Sequence, residues 1–313
     1  MEKLDEAYAN TVEIYISANS SNKPRTYRKA VNGPQEVEWK DAMADEFNSL
    51  QERGTWEVVP RPTDRRIVSC KWVYRVKYDA DGNITHYKAR LVARGFSQVF
   101  GIDYTETYAP VTRLETIRLL FALAVENDWE VCQIDVKTAY LYGELDEEIF
   151  MEPPEGQDIP KGNVLLLRKA IYSLKQASRQ WYRKLHDTMA KFDLKLVKNE
   201  PHTFVAHKVV NGVNRTLIIP IYVDDLFPIG DNVLTDEFEA WIGNYFEITP
   251  PCDTHYFLGI RVKRDRNPPR DEPYISIDQV NYAQSIISRL NEVPEIKDIA
   301  SLGEARHEHR QKT

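Results

Sequence analysis

Two adjacent carboxylates, Asp224 and Asp225, lie in the middle of the apolar stretch TLIIPIYVDDLFPIG. Burying such charges without a partner is costly, and the stretch contains no Lys or Arg. The flanking Ile, Val, Leu, Tyr and Phe residues are typical of strands, so the pair is expected at the bend of a hairpin. This bend could be a solvated β-turn. It could also hold Mg²⁺, which proteins bind through one or two carboxylates together with substrate phosphates.

A cation site at this bend needs a third carboxylate from elsewhere in the chain, and Asp135 is the candidate. In the segment WEVCQIDVKTAYLYG, Val131, Gln133 and Asp135 point to one side of a predicted strand, which ends near Asp135. On this segment alone, a helix N-cap or an ordinary strand-end aspartate is the simpler explanation.

The composition permits either interpretation. With 313 residues, 42% hydrophobic and 28% charged, the chain can form one large lobe or two to three smaller lobes. A net charge of −7 argues against a nucleic-acid-binding protein, whose contact surface is normally basic. However, basic residues cluster between Arg61 and Arg94 and again between Lys161 and Lys198. A positive channel is therefore compatible with the acidic total.

The termini and cysteines indicate an intracellular protein. The amino terminus, MEKLDEAYAN, is acidic and has no apolar core, and no apolar stretch long enough to span a membrane occurs in the sequence. Cys70, Cys132 and Cys252 are far apart and lack C-x-x-C spacing. We therefore expect reduced cysteines and neither a disulfide framework nor a zinc site.

Apolar periodicity predicts the elements that would position the carboxylates. Helices are expected over 39–50, 114–124, 168–192 and 234–245, with Thr112 capping the second. The segments CKWVYRVKYD and ITHYKARLVARG form one predicted hairpin, and HTFVAHKVV and TLIIPIYV form another. The order strand, helix, strand, strand, helix, strand predicts an α+β fold with a split β-α-β sheet layered against helices.

Seven segments, some of which contain the stretches described above, follow one another along the chain. They are EWKDAMADEFNSLQERGTWEVVPRP, CKWVYRVKYDADGNITHYKARLVARGFSQVFGIDYTETYAPV, QIDVKTAYLYGELDEEIFMEPPEG, LRKAIYSLKQASRQWY, IYVDDL, YFLGIRV and NYAQSIISRL. Together they resemble the reverse transcriptase of copia-type LTR retrotransposons over roughly residues 38–290. The resemblance implies a polymerase shaped like a right hand. Residues 1–37 would be a flexible lead-in, 38–262 the fingers and a ferredoxin-like palm, and 263–313 the start of the thumb and a tail.

The same resemblance implies that Asp135 and Asp224 are the principal ligands of two Mg²⁺ ions, with Asp225 beside them. Two such cations can bind both the attacking primer 3′-oxygen and the leaving pyrophosphate. This reaction requires positioning and charge neutralisation more than a protein nucleophile.

The resemblance assigns nucleotide binding to Lys88, Arg90, Thr138, Ala139, Tyr140, Tyr172 and Gln176. Tyr140 is expected to exclude a ribonucleotide 2′-OH, and the backbone amides of Thr138 and Ala139 are expected near the triphosphate. Lys88 and Arg90 would clamp phosphates, although a basic edge strand protected from aggregation would look the same.

The segment YFLGIRV matches a hairpin that steadies the primer, which gives Gly259 a primer-binding role. A simple backbone bend is equally compatible with this glycine. Other positions depart from the family pattern. Ser173 stands where relatives usually carry Gly, EITPPCDTH replaces a usual Lys-Asp-Leu-Gly run, and Pro228 requires an edge or bulged strand.

These departures support an alternative function, a degenerate or co-opted copy that binds nucleic acid without polymerising. A nucleotide cyclase is a weaker alternative, because the basic hairpin argues against it. The leading interpretation implies an RNA and DNA template–primer and deoxynucleoside triphosphates as substrates, with no membrane partner. RNase H and integrase signatures are missing from the sequence, so we expect a truncated polyprotein portion. The family resemblance implies cytoplasmic virus-like particles, with the nucleus as the alternative.

Overall fold

The computed structural model describes residues 23–78, 83–109, 111–250, 252–253, 256–257, 260–268 and 272–291. The chain divides into two compact units. The larger is formed by residues 20–253, and the smaller contains the described residues from 256 to 291. Both units combine helices with antiparallel strands, which confirms the α+β class predicted from the sequence.

The helices follow the apolar spacing of the sequence. In the helix Glu36–Glu52, Trp39, Met43, Phe47 and Leu50 are buried along one face. The described helices are α1 (Tyr27–Val31), α2 (Glu36–Glu52), α3 (Leu114–Glu126), α4 (Ala177–Met189), α5 (Asn232–Ile242) and α6 (Val280–Asn291). Short 3-10 turns occupy Gly95–Ser97, Ala139–Tyr142 and Ala190–Phe192. The helix α1 lies within the predicted lead-in.

The strands that the structure describes form four sheets. They are β1 (Trp56–Pro60), β2 (Ile67–Val68), β3 (Cys70–Tyr78), β4 (Ile84–Ala93), β5 (Glu130–Asp135), β6 (Glu144–Met151), β7 (Asn163–Lys169), β8 (Lys195–Val197), β9 (Glu200–Val210), β10 (Val213–Tyr222), β11 (Asp225–Leu226), β12 (Ile229–Gly230), β13 (Cys252–Asp253), β14 (Tyr256–Phe257), β15 (Ile260–Asp265) and β16 (Tyr274–Asp278). Both predicted hairpins are confirmed, as β3 with β4 and as β9 with β10.

The predicted helix over residues 168–192 is wrong in its first third. Residues Asn163–Lys169 form β7, and the helix α4 begins at Ala177. The apolar run VLLL in β7 is fully buried and pairs with β1 on one side and β6 on the other. A short buried strand of this kind has the same apolar content as a helix segment, so periodicity alone does not distinguish them.

Thr112 does not cap α3, whose N-cap residue is Arg113. The Thr112 hydroxyl donates to the carbonyl of His202 and accepts from the amide of Ile221, both at 3.0 Å. The side chain thus joins the loop before α3 to two strands of a sheet. Such a long-range contact leaves no trace in the local sequence pattern.

The central sheet is antiparallel and runs in the order β13, β5, the broken strand β11 and β12, then β10, β9 and β8. The broken strand returns from the Asp pair and is interrupted at Phe227 and Pro228. There, the Phe227 amide donates to the Pro220 carbonyl (3.1 Å), and the Pro228 carbonyl accepts from the Cys132 amide (3.0 Å). The interruption accommodates a residue that has no amide hydrogen for a continuous ladder.

Two helices cover the central sheet. Trp181 and Leu185 of α4 and Phe238 and Ile242 of α5 share one buried cluster with strand residues, which include Ile134, Phe204, Leu217 and Ile219. This packing fixes α4 relative to β5. A second cluster joins α2 to the hairpin β3–β4 and to the sheet of β1, β7, β6 and β2.

The smaller unit contains the sheet β14, β15 and β16, followed by α6. The Val280 amide at the start of α6 donates to the Asp278 carboxylate at 3.1 Å. Gly259, the predicted primer-binding residue, lies outside the described residues. None of the helices that the structure describes is long and apolar enough to cross a membrane.

Replacing Phe238 by Ala tests the packing of the central sheet. Phe238 is fully buried, so its loss should lower the free energy of unfolding by about 3–5 kcal/mol, as measured by urea denaturation. Val209→Ala, at a side chain that is 69% exposed, should change it by about 0.5 kcal/mol or less. A loss below about 1 kcal/mol for Phe238→Ala would contradict the assigned core.

Candidate functional site

The three carboxylates singled out in the sequence meet at one end of the central sheet. Asp135 is the last residue of β5, and its directly opposed partner in the antiparallel register is Asp225 of β11. Opposed residues in such a pair project to the same face of a sheet. Gln133, two residues before Asp135, donates from its side-chain amide to the Asp225 carboxylate at 3.1 Å. Two distant chain segments therefore place their acidic side chains next to each other.

Asp224 lies in the turn between β10 and β11. Tyr222 pairs with Asp225, which leaves Val223 and Asp224 as the two turn residues. Val223 has a φ of 57°, in the left-handed region that β-branched residues rarely adopt. The carbonyl of Asp224 accepts from the Val136 amide at 2.9 Å, so the turn is joined directly to the end of β5.

The three carboxylates are half-buried, and the pKa of each is raised. Burial is the main cause, because it penalises the charged form. The charge of Asp224 also raises the pKa of Asp135. At Asp225, burial together with the charges of Asp224 and Asp135 raises the pKa to about 6, despite the hydrogen bond from Gln133. The site therefore concentrates negative charge in a partly desolvated setting.

Two cations from a different sheet partly compensate this charge. Lys88 and Arg90 lie on β4, two residues apart, and therefore share one face of that strand. Both lower the pKa of Asp135, and Arg90 also lowers that of Asp224, so both cations act electrostatically on the carboxylates. Burial and the neighbouring charge of Arg90 lower the pKa of Lys88 itself.

A half-buried glutamate supports the strand that carries these cations. Glu46 of α2 accepts a hydrogen bond from the Leu91 amide of β4 at 3.2 Å. Burial raises the pKa of Glu46, while that hydrogen bond and the charges of Lys88 and Arg90 oppose the increase. The helix α2 thus holds β4 through both packing and a hydrogen bond.

Two tyrosines connect the cations to the carboxylates. The Arg90 guanidinium lies 5.4 Å from the ring centroid of Tyr172, and Tyr172 meets Tyr140 edge to face at 5.2 Å. Burial raises the pKa of Tyr172, and the charge of Asp224 raises it further. These predicted nucleotide-binding residues therefore lie together and close to the carboxylates.

Thr138 and Ala139 form the entrance to the 3-10 turn that carries Tyr140. Thr138 has a φ of 52°, and its carbonyl accepts from the Leu141 amide at 2.9 Å. The Thr138 hydroxyl oxygen is buried and has no hydrogen-bond partner among the described residues. Ala139 is 3% exposed and belongs to the buried cluster of the central sheet, so its side chain offers no surface to a ligand.

Gln176, another predicted nucleotide-binding residue, is completely buried. Its side-chain amide donates to the Asp103 carbonyl (2.9 Å) and to the Glu147 carboxylate (3.2 Å), and its oxygen accepts from Gln98 (3.1 Å). Gln98 also accepts from the Lys175 amide at 2.8 Å. This network positions the segment that carries Tyr172 and leaves Gln176 no surface for a ligand.

Gln98 and Gln133 are absent from the predicted site residues, although Gln133 is predicted to share the Asp135 face of its strand. Gln133 alternates with Asp135 on a predicted strand, so the period-two pattern of strands indicated that it shares the Asp135 face. Gln98 lies in an irregular loop, where no periodic signal exists.

The oxygen donors at this end of the sheet are of the type that divalent cations prefer. No group of three His, Cys, Asp or Glu side chains with metal-binding spacing occurs in the part of the chain that the structure describes. The backbone register thus brings Asp135, Asp224 and Asp225 to one place without closing them into a three-ligand cluster.

Comparison with known proteins identifies the family of the chain. The family described as reverse transcriptase (RNA-dependent DNA polymerase) matches residues 53–296. The Retrovirus-related Pol polyprotein from transposon TNT 1-94 of Nicotiana tabacum is 34% identical over 280 residues, 88% of this chain and 21% of that protein. The Retrovirus-related Pol polyprotein from transposon RE2 of Arabidopsis thaliana is 37% identical over 255 residues, 80% of this chain and 17% of that protein.

The polyprotein from transposon RE1 of the same plant is 35% identical over 256 residues, 80% of this chain and 17% of that protein. The chain thus spans between 17% and 21% of the length of these relatives. The family match covers most of the chain and includes every strand that contributes a carboxylate. The chain therefore belongs to the reverse transcriptase (RNA-dependent DNA polymerase) family of retrotransposon Pol polyproteins, as its resemblance to copia-type elements predicted.

Proposed function

We propose that this chain is the polymerase portion of an RNA-directed DNA polymerase. It adds deoxynucleotides to a primer 3′-OH with two Mg²⁺ ions as cofactors. One observation carries the proposal, the pairing of β5 with β11, which brings Asp135, Asp225 and the adjoining turn residue Asp224 to one end of the sheet. Reverse transcriptases generally use divalent metal ions, and this carboxylate set suits such ions.

Asp135 and Asp224 would hold the ions, with Asp225 beside them. A three-carboxylate cluster is not required, because Mg²⁺ is commonly bound by one or two carboxylates, with substrate phosphates and water completing its octahedron. When bound, two such ions supply charge stabilisation at the attacking and leaving oxygens of an in-line displacement. The raised pKa values support this assignment, because a cation would relieve the repulsion among the three carboxylates.

The residues around the carboxylates would bind the incoming nucleotide. The positive charges of Lys88 and Arg90 act on the carboxylate of Asp135, so they can also neutralise the charge of a bound triphosphate. Tyr140, held edge to face by Tyr172, presents a fixed ring that can exclude a 2′-OH. The Thr138 hydroxyl, buried without a partner among the described residues, and the adjacent backbone amides suit phosphate oxygens. Gln176 would act by holding the Tyr172 segment in place.

The architecture supports a hand-shaped polymerase. The proposal of a ferredoxin-like palm is supported by the strand order β13, β5, the broken strand and β10, with α4 and α5 in the connections. The hairpin β3–β4, with its cationic face, would belong to the fingers. Under this proposal residues 38–262 form fingers and palm, and residues 263–313 begin the thumb.

The substrates would be an RNA or DNA template with its primer and deoxynucleoside triphosphates. The chain would bind an A-form hybrid through contacts to its phosphate backbone and 2′-OH groups. Few contacts would depend on the base sequence. RNase H and integrase functions would be supplied by other portions of a polyprotein. We propose a cytoplasmic location within virus-like particles.

Primer extension on an RNA template tests the proposal. Asp135→Asn and Asp224→Asn should each reduce Mg²⁺-dependent extension by about 10³-fold or more, because each removes charge from a metal ligand. Asp187→Asn provides the matched control, since its side chain is 80% exposed on α4 and distant in sequence from the site. Extension by either site variant at a rate close to that of the unmodified chain would overturn the proposed function.

The raised pKa of Asp225 predicts a pH-dependent cost to folding in the absence of metal. Above a folded-state pKa of about 6 the carboxylate is charged and its burial is unfavourable, whereas well below its ordinary value of 3.8 it is neutral in both states. With a chelator at pH 7.5, Asp225→Asn should therefore raise the free energy of unfolding. The gain should shrink as the pH falls from 6 to below 4.

Urea denaturation at several pH values measures this difference. The unmodified chain at the lowest pH serves as the internal control, because both proteins then carry a neutral side chain at position 225. A gain that stays constant with pH, or a loss of stability at pH 7.5, would contradict the charge burial assigned to Asp225.

A further inference from the structure

Trp181 links the helix α4 to the turn that carries Asp224. Its indole N–H donates to the carbonyl oxygen of Val223 at 2.6 Å, and its ring is 2% exposed. Val223 directly precedes Asp224 in the chain. A buried side chain from a neighbouring helix therefore holds the peptide group that leads into a proposed metal ligand.

This peptide group lies in a conformation that needs support. Val223 has a φ of 57°, and a β-branched residue in this region is strained unless its surroundings hold it there. Both turn carbonyls have partners. The Val223 carbonyl accepts from the Trp181 indole N–H, and the Asp224 carbonyl accepts from the Val136 amide at 2.9 Å. The turn is thus held between α4 on one side and β5 on the other.

Packing around this turn is incomplete on one side. A small pocket of about 60 Å³ lies against it, lined by Val223 and Trp181 and also by Val111, Leu185 and Ile221. Side-chain atoms that border a cavity lose attractive contacts on that side. The hydrogen bond from Trp181 therefore carries more of the restraint than it would in a filled core.

The indole ring of Trp181 is itself fixed in orientation. It meets Phe246 edge to face at 5.0 Å and lies 6.1 Å from the ring centroid of Tyr142. The 3-10 turn Ala139–Tyr142 also lies close to α4, since a Cβ added at Gly143 would be 2.9 Å from the Trp181 amide nitrogen. The donor is therefore pre-oriented toward the Val223 carbonyl.

We propose that Trp181 is a positioning residue for the polymerase reaction. Its N–H holds Val223 in the left-handed conformation and thereby aims the Asp224 carboxylate at the metal and substrate. This inference rests on the proposed function and adds to it a residue that touches neither substrate nor metal.

The substitution Trp181→Phe removes the donor and keeps an aromatic ring. We expect the extension rate at saturating nucleotide to fall about tenfold, which is what the loss of one buried hydrogen bond implies. We also expect the Mg²⁺ concentration for half-maximal rate to rise about threefold or more. The KM for deoxynucleotide should change much less, because the nucleotide-binding residues remain in place.

Trp72→Phe is the matched control. Trp72 is 5% exposed, and its indole N–H also donates to a backbone carbonyl, that of Glu155 at 3.0 Å. The control loses the same kind of hydrogen bond and a similar ring volume. Its acceptor, the Glu155 carbonyl, is not part of the turn that carries Asp224. It should leave the Mg²⁺ requirement unchanged within about twofold.

A second variant tests the conformational mechanism. Glycine adopts positive φ without the steric penalty of valine, so Val223→Gly should make the left-handed turn less dependent on its hydrogen bond. In the Val223→Gly background, Trp181→Phe should therefore cost about twofold instead of about tenfold. An undiminished tenfold loss in that background would overturn the proposed mechanism.

Amide hydrogen exchange of residues 220–227, measured without substrate or metal, provides a readout independent of activity. Trp181→Phe should accelerate exchange in this segment, whereas Trp72→Phe should not. Unchanged exchange in Trp181→Phe, or an equal change in both variants, would overturn the positioning role. If the unmodified chain extends no primer, the proposed polymerase function fails, while the exchange experiment still decides whether Trp181 holds the turn.

Discussion

The antiparallel pairing of β5 with β11 is the constraint on which the rest of the site depends. It places Asp135 opposite Asp225 and brings the turn residue Asp224 against the end of β5. Like charges opposed across a sheet destabilise it, so this register is unfavourable on electrostatic grounds alone. The fold maintains it because the same two strands bury Ile134 and Leu226 in the central core, next to Leu217 and Ile219 of β10. Hydrophobic burial thus holds together a cluster that electrostatics would separate.

The elements around this cluster offset the repulsion among its carboxylates or hold the backbone that carries them. The cations Lys88 and Arg90 come from a separate two-stranded sheet and lower the pKa of Asp135 from there. Gln133 donates to Asp225 from within β5, and Trp181 donates to the turn backbone from α4. None of these groups neutralises the site completely, as the raised pKa of Asp225 indicates. A divalent cation is the partner that this remaining charge favours.

The sequence predicted the parts of this arrangement that have periodic signals. The two hairpins, the helices α2, α3 and α5, and the strand ending at Asp135 all followed from apolar spacing and turn residues. The register between β5 and β11 did not follow from those patterns, because it depends on contacts between segments distant in the chain. The family resemblance supplied the expectation that Asp135 and Asp224 converge.

The failures have physical causes of the same kind. The start of α4 was placed too early because the buried strand β7 is as apolar as a helix face. The local pattern predicts that Thr112 caps α3, whereas its hydroxyl joins the loop before α3 to two strands of the central sheet. The nucleotide-binding role of Gln176 stays a prediction, and its buried hydrogen-bond network has no signal in the local sequence. The role of Trp181 was also beyond local analysis, since a buried tryptophan on an apolar stripe looks like any core residue.

Anomalous X-ray scattering from crystals of the chain with template–primer and a deoxynucleotide, soaked in Mn²⁺, would show whether Asp135 and Asp224 hold the cations. We predict anomalous peaks within coordinating distance of the carboxylates of Asp135 and Asp224, and their loss when Mg²⁺ is in excess. Ordered nucleotide with no peak at these two side chains, or peaks bound elsewhere in the chain, would contradict it.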